Sequence, residues 1–200
     1  MAPTSAPAFK LASTQTALAI LVPSKLQTEI NTLRKIHDKA YKKWEPHINI
    51  LYPFVESSLL SSAIPVLRAH LSIHPVPPFS AKIDDVGTFE HRRNATVFLK
   101  LGEESEEKIC ELRKRLVDAL GRDEKEGTHD GVFRPHLTMG QASLTGGTKE
   151  RLVEKVRKFV GLEWEVEGLV VLRREATGEM TVVDEIPLRN SGEREDESES

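Results

Sequence analysis

The chain has 200 residues, 38% of them hydrophobic, and a formal net charge of −3. That length fits one domain, or two small lobes sharing a core. The single cysteine, Cys110, excludes an internal disulfide and points to a reducing compartment, and no apolar run is long enough to span a membrane.

Residues 1–14, rich in Pro, Ala and Ser, read as a flexible leader. The apolar run TALAILVP that follows is too short for a signal peptide and reads as a first strand, residues 16–22, closed by Pro23. Ser24 then caps a helix in which Leu26, Ile30, Leu33 and Ile36 recur at helical spacing through about residue 41. Residues 47–54 form a strand whose pairing Pro53 limits. Leu60, Ile64, Leu67 and Leu71 mark a second helix, which must start near Ser61 to keep Pro65 in its first turn. Residues 79–89 alternate as a long strand, with a bulge or turn expected at Gly87. A strand at 96–101 leads into a third helix marked by Ile109, Leu112, Leu116 and Leu120 and ended by Gly121. Residues 121–135 are polar and glycine-rich, as a functional flap or a disordered loop would be. A strand at 136–142, a helix marked by Leu152, Val156 and Phe159, and two strands at 164–174 and 180–188 complete the pattern. The last eleven residues, 190–200, hold five acidic residues and one arginine, so the acidity belongs to a tail read as disordered and solvated. A single bilobal domain over 15–189 is the expectation.

Two strands carry the same local pattern. PHINI and PHLTM share the form Pro, His, apolar, hydrogen-bonding side chain, apolar. Residues two apart in a strand face the same way, so His47 shares a face with Asn49, and His136 with Thr138. Ile48 and Ile50, like Leu137 and Met139, face a core. The elements before and after each histidine strand follow nearly the same order, as an internal duplication would give. The fold class expected is α+β: two pseudo-symmetric lobes, each an antiparallel-rich sheet with helices outside, around a central cleft.

Imidazole titrates near 6.5, so one ring can be neutral while another is protonated. Around a phosphodiester, one ring can take a proton from water or a hydroxyl while the other gives one to the leaving oxygen. Asn49 and Thr138 can donate to the non-bridging oxygens. This scheme requires no metal and no other cofactor. A zinc site built from the two histidines with Asp130 or His129 is disfavoured, because neither histidine of the pair has another at HxH or HxxxH spacing. His91, near the lobe junction, and Arg134, close before His136, are further candidates for substrate contact. Tyr52 and Trp164 read as core.

The two motifs, with VGTFEHRRNATVFLKL (86–101) and WEVEGLVVLRRE (164–175), resemble the 2H phosphoesterase superfamily, which includes 2′-5′ RNA ligase-like proteins and cyclic phosphodiesterases. The resemblance covers most of residues 16–188. It implies paired-histidine catalysis by His47 and His136, phosphate binding by Asn49 and Thr138, and a substrate that is an RNA end, a cyclic phosphate or a 2′-5′ linkage. A monomeric protein of the cytoplasm or nucleus is expected. One position departs from the family, which commonly has Thr or Ser where Asn49 stands. A noncatalytic nucleotide- or RNA-end-binding module of the same fold is the alternative reading.

Overall fold

The structure is a computed structural model, and it describes residues 9–128 and 130–190. In chain order the elements are β1 (Thr16–Leu21), α1 (Ser24–His37), β2 (His47–Leu51), α2 (Leu60–Ile73), β3 (Phe79–Glu90), β4 (Asn94–Leu101), α3 (Glu103–Ala119), β5 (His136–Ser143), α4 (Thr148–Val156), β6 (Glu163–Val166), β7 (Gly168–Arg174) and β8 (Met180–Pro187). None of these helices is long and apolar enough to cross a membrane.

The eight strands form one sheet in the order β6-β3-β4-β5-β2-β1-β7-β8. Its neighbours are all antiparallel. The two histidine strands, β2 and β5, meet at its centre, and each half repeats the other outward from that seam. The spatial halves are not the sequence halves. β3 ends the first half of the chain, yet it pairs with β4 on the His136 side; β7 returns to pair with β1 on the His47 side. This exchange ties the two halves together.

Alternation decides the two faces. Ile20, Ile48, Leu99, Leu137 and Met139 are buried with Ile30, Leu67, Leu112 and Leu152 of the helices in one continuous core. On the opposite face of β1, Ala17 and Ala19 pack with Trp44, Leu172 and Met180 in a smaller cluster. His47, Asn49, His136 and Thr138 are half-buried, and each alternates with a buried apolar residue.

Several expectations need correction. Ile36 is not on the buried face of α1: it is 74% exposed, and Arg34, at 2%, occupies the inner position. The helix also stops at His37, short of residue 41. Helix α2 starts at Leu60 behind a 3₁₀ turn, so Pro65 lies inside it rather than in its first turn. The run 164–174 is two strands, separated at Glu167, that pair with β3 and β1 in opposite halves. Ordered packing begins before residue 15, because Phe9 and Leu11 are buried in the main core. The tail expected to be disordered lies, from residue 191 on, outside the described residues.

Candidate functional site

β2 and β5 are paired at Ile48↔Leu137. In that antiparallel register His47 lies across from Thr138, and Asn49 lies across from His136. The four polar side chains thus form a box on one face, with the histidines on a diagonal. A strand spacing of ~4.8 Å and a rise of ~3.4 Å per residue put the two histidine Cα atoms about 8 Å apart, room for a tetrahedral group between the rings.

Matched irregularities frame the box. On β1, Leu18 pairs with Leu51 but Ala19 with Asn49, so Ile50 is an extra residue on β2. On β4, Val97 pairs with Gly140 but Phe98 with Thr138, so Met139 is the extra residue on β5. Each bulge falls three residues after the histidine, so both strands turn away from the seam at the same point of their motif. Bulges re-aim side chains in this way beside active sites. The shift also moves Tyr52 off the Ile48 face: it packs beside Trp44, not in the main core as expected.

Each imidazole is held by the same device. His47 Nδ1 is 2.7 Å from the carbonyl oxygen of Glu45, and His136 Nδ1 is 2.7 Å from that of Arg134. A carbonyl only accepts, so Nδ1 carries the proton in both rings. Nε2 is then the atom whose state changes: a bare lone pair in the neutral ring, an N–H donor in the protonated one. Each ring also rests on aromatic carbon. His47 is stacked on Trp44 with ring centroids 4.5 Å apart, and Trp44 meets Tyr52 edge-on. Phe89 and Phe98 both lie 5.0 Å from His136 and stack on each other at 4.3 Å.

The two rings differ in charge behaviour. Burial pushes His47 down to about 4; Arg34 and a protonated His136 add to the depression, while the Glu45 carbonyl and Asp38 oppose it. His136 is also lowered, by burial, against the pull of the Arg134 carbonyl. Charge on either ring disfavours charge on the other, so one protonated and one neutral ring is the favoured pairing.

Asn49 brings an unpaid polar group into this site. Its Oδ1 is buried without a partner among the described residues; turning the amide over would place its NH₂ there instead. Such a group destabilises the fold by ~1–3 kcal/mol. Asn49→Val is therefore expected to raise the melting temperature and, where Asn49 serves as a phosphate ligand, to lower kcat about tenfold or more. Thermal melts beside steady-state rates check this, and a variant that melts lower with full activity would contradict it.

Gly87 has a role unlike the expected bulge, which sits instead between Ile83 and Asp85. Gly87 pairs with Phe98, and a Cβ there would lie 2.3 Å from the Phe98 ring. The ring crosses the bare backbone to reach Phe89 and His136. Gly87→Ala is expected to cost ~1–3 kcal/mol in a denaturant melt and to slow turnover by dislodging the shelf under His136.

The other candidates are spread out. His91 is exposed in the β3–β4 turn, with Nε2 3.2 Å from Thr96 Oγ1. The exposed guanidinium of Arg134 donates to Asp130 at 2.9 Å, so only its carbonyl serves the box. His129 lies outside the described residues. Among the described residues no three His, Cys, Asp or Glu side chains gather closely enough to hold a metal ion. Sequence reasoning passed over Lys100, which pairs with His136 on β4 and puts an exposed cation at the rim. It also passed over Arg34 and Asp38 behind His47. The signal for the latter two was an arginine on the apolar face of α1 with a carboxylate four residues on.

The site is thus the seam of one antiparallel sheet, with two histidine strands side by side and two tautomer-fixed imidazoles on one face. Comparison with known proteins gives the family. Residues 22–178 match the model of the 2′-5′ RNA ligase superfamily, and the chain belongs to that family, the 2H phosphoesterases. A protein of Staphylococcus aureus (strain JH1) that carries phosphoesterase in its name is 29% identical over 123 residues, 60% of this chain and 68% of the relative. Among solved structures, E. coli LigT complexed with phosphate superposes with a TM-score of 0.58 at 16% identity, over 88% of this chain and 98% of LigT. Kluyveromyces marxianus Usb1 gives 0.52 at 13% identity, over 88% of this chain and 99% of Usb1. At these identities the two neighbours bear on the fold alone.

Proposed function

We propose that this chain is a metal-independent phosphoesterase acting on 2′,3′-cyclic phosphates or 2′-5′-linked nucleotides at RNA ends, with His47 as general base and His136 as general acid. The observation that carries the proposal is the matched pair of Nδ1–carbonyl bonds, which leaves two Nε2 atoms for one phosphate. In hydrolysis of a cyclic phosphate, His47 Nε2 takes a proton from water as its oxygen bonds to phosphorus. The P–O bond to one ribose oxygen breaks, and His136 Nε2–H delivers its proton to that oxygen. Asn49 and Thr138 donate to the non-bridging oxygens as charge builds on them. Solvent exchange then resets the two rings. Lys100 adds an attraction for a longer polyanion from the rim. Complexes of E. coli LigT with phosphate and with 3′-AMP support a phosphorylated nucleotide as the ligand class.

The test is product analysis against linear, cyclic and 2′-5′-linked oligonucleotides in the presence of a chelator, with wild type beside the double alanine variant of His47 and His136. Turnover of the cyclic or 2′-5′ substrates by wild type alone is expected. Tight binding of a cyclic nucleotide with no product from wild type would replace the enzyme with a binding module. Activity appearing only on addition of zinc would overturn the metal-free mechanism.

A further inference from the structure

The feature of the site left without a role is a buried ion pair. Arg34 and Asp38 are joined at 2.8 Å with their side chains 2% and 1% exposed. Burying two charges costs several kcal/mol that their attraction barely returns, and apolar replacements are often as stable. Stability alone is thus a poor reason for the pair.

Its hydrogen bonds reach both histidine strands. The Arg34 guanidinium donates to the Trp44 carbonyl at 2.9 Å and to Asn31 Oδ1 at 3.2 Å. Trp44 is the ring on which His47 is stacked. Asp38 Oδ1 accepts from the Ala40 N–H at 2.9 Å and from Gln141 Nε2 at 3.3 Å. Gln141 belongs to β5, the His136 strand, and its Oε1 accepts from the Lys39 N–H at 3.0 Å. One pair therefore fastens the loop that leads to His47 and, through a single amide, the strand that carries His136. It does so beyond Ile48↔Leu137, where the two strands no longer pair.

The other half of the molecule supplies a contrast. There the buried arginine is Arg113 of α3, which donates to the carbonyls of Glu124 and Glu126 at 2.7 Å each and covers the Phe133 ring. Phe133 stands three residues before His136, as Trp44 stands three before His47. Arg113 thus braces its loop through backbone carbonyls, whereas Arg34 works with a carboxylate.

We infer that Arg34 and Asp38 are positioning residues that hold His47 and His136 at working separation. The inference rests on the reading of His47 and His136 as the catalytic pair, whereas the ring titrations that test it need no turnover. The charged and titratable groups that act on His47 are Arg34 and Asp38 from α1 and His136 from β5, together with the Glu45 carbonyl. Asp38 is the one carboxylate among them, and it favours the protonated ring.

NMR titration of the histidine Cε1–H signals tests the inference without any substrate. In Asp38→Asn the His47 midpoint is expected to move to lower pH by about half a unit or more, since the negative charge is removed while Arg34 stays. In Gln141→Ala both charges remain and only the tie to β5 is cut. The His136 signal is then expected to shift or broaden, and kcat to fall severalfold with KM little changed. Gln141→Ala also serves if Asp38→Asn fails to fold. An unmoved His47 midpoint in folded Asp38→Asn, or wild-type histidine spectra and kcat in Gln141→Ala, would overturn the inference. Wild type lacking phosphoesterase activity, with the midpoint still moving, would instead count against the functional reading.

Discussion

Removing either imidazole is expected to lower kcat/KM by about 10³-fold. A positioned acid or base contributes ~10²–10⁴. The double variant should fall little further than either single one, because two groups that act on one transition state are not additive. The roles separate with the leaving group. His136→Ala should recover most of its rate on a phosphodiester whose leaving alcohol is a nitrophenol, which departs without a proton. His47→Ala should not, because water still needs a base. Rates on natural and nitrophenyl substrates, measured for both variants, check the assignment; the reverse pattern would exchange the two roles.

The dependence of kcat/KM on pH is the second large effect. The proposed mechanism requires a neutral His47 and a protonated His136. His47 is pushed down to about 4, so its limb is acidic: activity falls tenfold per pH unit below about 4. His136 is lowered from 6.5 by burial, so its limb lies on the alkaline side of the optimum, beginning below 6.5. The product of the two is a bell with an acidic maximum. Stability carries the same sign. A histidine whose folded pKa is depressed contributes its full share above the unfolded value of 6.5 and loses it as pH falls toward 4. For His47 that loss is at most on the order of 3 kcal/mol, at 1.36 kcal/mol per unit. Acid melts of His47→Gln should be correspondingly flatter over that window than those of wild type. A rate that rises steadily from pH 6 to 9 would remove His136 from the role of acid.

Much of this was legible in the sequence because a strand has a short period. PHINI and PHLTM fix which side chains share a face, and two matched strands in similar surroundings imply a shared seam. The bulges were not legible, since Ile50 and Met139 are apolar and read as ordinary inward positions; only the register across β1 and β4 reveals the extra residue. The bulge at Ile50 is why strict alternation puts Tyr52 on the wrong face. The exchange of β3 and β7 between halves escaped for another reason: local pattern says that a strand exists, not which neighbour it takes. Arg34 was hidden by the assumption that an apolar stripe continues. Ile36 fits the spacing, yet the helix turns the arginine inward because Asp38, Asn31 and the Trp44 carbonyl satisfy its donors there. A glycine in a strand suggests backbone freedom, yet at Gly87 what matters is the missing Cβ under Phe98.

The central claim is that two imidazoles address a single phosphate. Its most direct test is a ¹⁵N NMR titration of the histidine rings with nucleoside 2′- and 3′-monophosphates, the two products that opening a cyclic phosphate can leave. The Nε2 signals of His47 and His136 should move together along one binding curve, with both rings taking up protons more readily in the complex. If the nucleotide bound while either Nε2 stayed at its free position, the two rings would not share a phosphate.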